Sequence, residues 1–199
     1  MNQRVSQFFI PVAVFLFVLA IGGGAWFYLS GAFGEQPVGG IGGPFTLTNG
    51  AGSTVTDRDF RGRFMLVYFG YTFCPDVCPT TLNEVAGAMD KLGQQADRVQ
   101  PLFISVDPKR DTPKVVADYA AAFGPRIVGL TGTPEQIATV AREYRVYYAA
   151  NKPASAGGDY TVDHSSILYL MGPHGQFIAP IRADQSAEQM AADIAKHLS

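Results

Sequence analysis

Apolar and polar residues alternate along Phe45-Thr46-Leu47-Thr48, break at the turn cluster Asn49-Gly50-Ala51-Gly52, and resume in the β-type residues Ser53-Thr54-Val55-Thr56, which predicts a hairpin. The unbroken apolar run Phe64 to Phe69 predicts a buried strand. After it, Leu82, Val85, Ala86, Met89 and Leu92 recur at helical spacing, so a helix is expected from about Pro79 until Gly93 ends it. A second unit follows: a strand over Gln100 to Val106, a loop through Asp107-Pro108-Lys109-Arg110-Asp111, and a helix capped by Asp111 or Thr112 that closes at Gly124. Ile127 to Leu130 predicts a short strand. Thr133-Pro134-Glu135-Gln136 is a capping box for a helix reaching about Tyr144. Residues 150 to 161, polar and rich in Ala, Gly and Pro, are expected to be an exposed loop. Two strands, Ile167 to Met171 and Gln176 to Ile181, flank the turn Gly172-Pro173-His174-Gly175, and Ser186-Ala187-Glu188-Gln189 caps a final helix.

Strands and helices in that order predict an α/β domain: a central mixed sheet with flanking helices and an N-terminal β-hairpin, the order of a thioredoxin-like fold. The expected folded unit is residues 45–199. Ahead of it, residues 30–44 are dense in Gly and Pro and predict a flexible linker. Residues 8–29 carry no charge and as a helix would span roughly 33 Å, enough to cross a bilayer core. A cleaved signal peptide is the competing reading, but its apolar region is shorter, about 7 to 15 residues, and ends at small residues. Arg4 precedes the span and Glu35 is the first charge after it, so residues 1–7 are expected in the cytoplasm and the domain outside. That arrangement predicts a single-pass inner-membrane protein facing a bacterial periplasm.

Composition narrows the function. Of 199 residues, 47% are apolar and 16% charged, with a net charge of −2, which argues against nucleic-acid binding and against a polybasic membrane-surface protein.

Two cysteines occur, Cys74 and Cys78, in Phe73-Cys74-Pro75-Asp76-Val77-Cys78-Pro79, straight after the first buried strand. A disulfide between them would close so short a loop that it adds only about 2 kcal/mol by chain entropy. Chemistry is therefore the better explanation: at a strand-to-helix corner both sulfurs can turn to one side and meet each other or a shared metal ion. The positive end of the following helix is expected to favour thiolates.

His164, in Val162-Asp163-His164-Ser165-Ser166, is the third candidate. If the strand after it runs antiparallel to Phe64 to Phe69, the two meet at the edge where the cysteine loop lies. A histidine with purely local hydrogen bonds is the alternative. His174 is expected to be a solvated turn residue and His197 a favourable charge at a helix end. Two soft thiolates plus an imidazole suit Cu(I), with zinc as the competing metal.

The four segments Phe69-Gly70-Tyr71-Thr72-Phe73-Cys74-Pro75-Asp76-Val77-Cys78-Pro79-Thr80-Thr81-Leu82, Ile104-Ser105-Val106-Asp107-Pro108-Lys109-Arg110-Asp111-Thr112, Val128-Gly129-Leu130-Thr131-Gly132 and Val162-Asp163-His164, in that order, closely resemble the Sco/SenC family of membrane-anchored copper proteins. The resemblance implies a copper chaperone for the binuclear copper centre of cytochrome c oxidase subunit II, with Cys74, Cys78 and His164 as ligands of Cu(I) or Cu(II). It also implies other copper chaperones or thiol reductants as partners. A thiol-disulfide reductase using Cys74 and Cys78 to keep that subunit's cysteines reduced is the alternative. Many family members have His where this chain has Phe73.

Overall fold

The computed structural model describes residues 40–151 and 160–198. The expected anchor, residues 8–29, and most of the linker lie outside the described residues. The chain forms β1 (Thr46–Asn49), β2 (Thr54–Thr56), β3 (Phe64–Gly70), α1 (Val77–Leu92), β4 (Val99–Ser105), α2 (Pro113–Phe123), β5 (Val128–Thr131), α3 (Pro134–Glu143), β6 (Tyr148–Asn151), β7 (Thr161–His164), β8 (Ile167–Met171), β9 (Phe177–Arg182) and α4 (Ala187–Ala195).

Seven strands make one mixed sheet in the order β2-β1-β5-β4-β3-β8-β9. β3 runs parallel to β4 and β4 to β5, because a helix carries the chain back each time; β8 joins β3 antiparallel, with Tyr68 opposite Leu168. All residues of β3 and β4 are buried, which explains the continuous apolar run of β3: both faces of the sheet are covered there. Alternation along β3 sends neighbouring side chains to opposite faces. Tyr68 packs toward Phe103, and Phe103 toward Tyr119 of α2, while Phe69 meets Tyr144 and Tyr169 on the other face.

The helix caps follow the sequence closely. Thr133 with Gln136 and Ser186 with Gln189 form reciprocal capping boxes, and the Thr112 hydroxyl accepts from the Val115 amide.

Three expectations need correction. The first helix begins at Val77, not near Pro79, so Cys78 lies inside its first turn. The stretch expected to be a loop over residues 150–161 instead contributes strand residues at both ends: β6 pairs antiparallel with β7 in a separate two-stranded ribbon, with Tyr148 opposite His164. Residues 152–159 lie outside the described residues. The tether, finally, gives way to ordered chain before Phe45, since the Gly42 amide donates to the Glu143 carbonyl at 2.8 Å and Ile41 packs against the core.

Candidate metal centre

Cys74 and Cys78 occupy the corner between β3 and α1, at the carboxyl end of an interior strand paired on both sides. The turn is set by short backbone links. The Cys74 amide donates to the Tyr71 carbonyl at 3.3 Å, and the Val106 amide to the Gly70 carbonyl at 2.8 Å. Cys78, in the first helical turn, directs its amide at the Cys74 sulfur, 3.4 Å away. Asp76, the residue before the helix, makes no side-chain cap. The Cys74 sulfur thus takes the acceptor role that a Ser or Asp ordinarily fills at a helix start.

The two sulfurs are neighbours with different surroundings. Cys74 is partly exposed and Cys78 fully buried, and both are thiols. A Cβ at Gly70 would stand 2.8 Å from the Cys78 sulfur and 2.8 Å from the Phe103 ring, so the absence of a side chain there makes the space in which the sulfur sits. The buried Tyr68 hydroxyl lies close to the Cys78 sulfur.

Burial pushes the Cys78 thiol from its ordinary 9.0 up to about 12, and the neighbouring Cys74 adds to the rise; the hydrogen bond from the Tyr71 amide works the other way. This corrects the expectation that the helix start favours thiolate at both positions. The helical amide falls on Cys74, and at Cys78 desolvation outweighs it. A thiol in that state needs a strong positive partner, such as a soft metal ion, to give up its proton.

A buried carboxylate holds the loop from behind. Asp111, fully buried, accepts the Thr72 amide at 3.0 Å, the Thr72 hydroxyl at 2.6 Å and the Ser105 hydroxyl at 2.5 Å. It therefore joins the cysteine loop to the end of β4 and the start of α2. Of the two expected helix caps, Asp111 or Thr112, Thr112 fills the role; Asp111 instead accepts from Ser105 and from Thr72, 39 residues away, the latter a link without any local signal.

Asp107 and Arg110 build the loop between β4 and α2, as expected, through an ion pair of 2.6 Å. Phe73, unusual in being 53% exposed, stacks over the Arg110 guanidinium with 4.6 Å from Cζ to the ring centroid. In place of the histidine common in the resembled family, this chain thus has a ring resting on a cation.

The backbone of His164 ends β7, four residues before Leu168, the partner of Tyr68. Since β8 is antiparallel to β3, the segment leading into β8 arrives at the edge where β3 ends and the cysteine loop begins. The imidazole itself lies outside the described parts of the structure. His174 stands exposed in the turn between β8 and β9, at the opposite edge of the sheet, and His197 is exposed near the chain end.

The SCO1/SenC family model matches residues 34–199. The human mitochondrial protein SCO1 homolog is 44% identical over 160 residues, covering 79% of this chain and 53% of that protein. Protein SenC of Rhodobacter capsulatus is 45% identical over 154 residues, covering 77% of this chain and 69% of that protein. Among solved structures, Bradyrhizobium japonicum ScoI with copper bound is similar at a TM-score of 0.71 and 45% identity, covering 78% of this chain and 98% of that one. The chain spans about half the length of the mitochondrial curated relatives it matches first.

Proposed function

Because the chain belongs to the SCO1/SenC family, we propose that it is a copper chaperone: Cys74, Cys78 and His164 hold one copper ion, which is handed to the binuclear copper centre of cytochrome c oxidase subunit II. The observation that carries this reading is the pair of thiols sharing the β3–α1 corner, with the Cys78 amide 3.4 Å from the Cys74 sulfur, one partly exposed and one buried, on a scaffold like that of a copper-bound ScoI.

Soft sulfur donors favour Cu(I), and an imidazole completing a three-ligand set also accommodates Cu(II). Cys74, partly exposed, is the sulfur an incoming thiol can approach, so release begins there by ligand exchange. Cys78 keeps its hold longest, shielded by Tyr68, Phe103 and the close approach of Gly70. Binding releases the Cys78 proton, and loss of the ion returns it. The Gly- and Pro-containing residues 30–40, ahead of the ordered chain, would give the domain reach from an anchor over residues 8–29 in the inner membrane, with the domain in the periplasm.

The test is an anaerobic Cu(I) titration of the reduced full-length chain beside its Cys74→Ser, Cys78→Ser and His164→Ala variants. One ion per chain is expected in the wild type, with affinity lost in both cysteine variants and lowered in His164→Ala. Copper affinity indifferent to His164, together with intact disulfide exchange, would instead select the thiol-disulfide reductase.

A further inference from the structure

The three ligand candidates stand on two separate pieces of the fold. Cys74 and Cys78 belong to the corner of the large sheet, whereas His164 ends a strand of the small ribbon, which forms its own two-stranded sheet. Two sets of side-chain contacts run between these pieces. Tyr71, almost fully buried, directs its backbone amide at the Cys78 sulfur, while its hydroxyl is hydrogen-bonded by the main-chain amide of Val162, two residues before His164. One residue therefore touches both a cysteine sulfur and the histidine strand.

The second set centres on Arg110. Its guanidinium lies between Tyr160, the residue directly before β7, at 3.7 Å from Cζ to the ring centroid, and Phe73, directly before Cys74, at 4.6 Å; Tyr71 flanks it at 5.8 Å. Asp107 holds both partners of this stack. One carboxylate oxygen takes Arg110 Nε at 2.6 Å, and the other takes the Tyr160 hydroxyl at 2.7 Å. A planar cation can stack on rings from two chain segments at once while its edge is fixed by a carboxylate, which a lysine ammonium does not reproduce.

We propose that Tyr71 and Arg110 are positioning residues that clamp the His164-bearing strand to the cysteine corner, so that the two parts of the metal site are held together before the ion arrives. The clamp deepens the copper-binding reading and rests on it for its purpose, but not for its existence. Preorganisation of this kind removes an ordering cost from binding and slows loss of the third ligand.

Two measurements on the full-length chain test it. In the metal-free protein, amide hydrogen exchange over Thr161–His164 should run at least about tenfold faster in Tyr71→Phe and Arg110→Gln than in the wild type, with β3 and β4 unchanged. Arg110→Lys, which keeps the charge and loses the planar stack, should retain most of that acceleration. Unchanged exchange at β7, or equal acceleration through β3 and β4, overturns the clamp.

In anaerobic competition for Cu(I), Arg110→Gln should weaken binding about tenfold when His164 is present, the usual size of an orienting partner's effect, and less than about twofold when His164 is already Ala. An equal loss in both backgrounds overturns the clamp's role at the metal site. If His164→Ala alone leaves affinity untouched, the ligand assignment falls, and the metal-free exchange still decides whether the clamp exists.

Discussion

The cysteine corner and the β6–β7 ribbon bring ligand candidates to one edge of the sheet by opposite means. At the corner, position is set by backbone: β3 is hydrogen-bonded on both sides, α1 starts within the motif, and a buried carboxylate joins Thr72 to Ser105. In the ribbon, backbone pairing is internal, and attachment to the rest runs through side chains such as Tyr71, Tyr160 and Val162. The difference separates a part fixed by the ladder of the large sheet from a part joined to it by side chains, which is expected to open at smaller cost. For the copper carrier proposed above, which would both hold an ion and give it up, a fixed sulfur pair and a more easily displaced third ligand is a sensible division.

The largest expected effect breaks the corner from within. A thiol whose folded value is raised stabilises the fold fully below its unfolded value and loses that contribution as pH rises through the folded one. For Cys78 the window is 9.0 to about 12, and the rise corresponds to on the order of 4 kcal/mol. Chemical denaturation of the metal-free chain should show stability falling across that range, with the fall flattened in Cys78→Ala.

Asp111→Ala should cost about 3 kcal/mol, since it strands the Thr72 amide and the Thr72 and Ser105 hydroxyls. A urea midpoint close to that of the wild type would show that the corner does not depend on this carboxylate. Gly70→Ala comes next, at about 2 kcal/mol, because a methyl group there meets the Cys78 sulfur and the Phe103 ring. Unfolding curves measure that cost, and a weakened copper titration would show the sulfur displaced.

The smallest expected effect falls in the ribbon. Val162→Ala removes a buried side chain and should lower global stability by only about 1 kcal/mol, while local exchange in β7 rises far more. Equal changes in both regions would erase the distinction between corner and ribbon.

Much of this was legible from residue order. The hairpin, the strands β3 and β4, and the capping boxes at Thr133 and Ser186 rest on local periodicity and turn chemistry, which act over a few residues, whereas the antiparallel pairing of β8 with β3 was only a condition until the structure met it. The ribbon was missed because β6 is short, with two of its four residues alanine, and nine residues separate it from its partner strand; pairing of that kind is a tertiary contact without a turn signal to announce it. The depth of Cys78 was missed for a related reason. Helix spacing shows which residues share a face, but how far that face sinks depends on what packs over it, here Tyr68, Phe103 and the bare backbone of Gly70.

What the chain determined by itself was the set of candidate donors and the order of the elements, because atoms available for bonding and the period of apolar residues are properties of residue order. Tertiary structure alone decided that one sulfur is exposed and its neighbour sealed, that Asp111 reaches back to Thr72, and that Arg110 stands between rings from two segments. Those outcomes depend on desolvation and on contacts between distant segments, which come into being only when the sheet closes and brings its edges together.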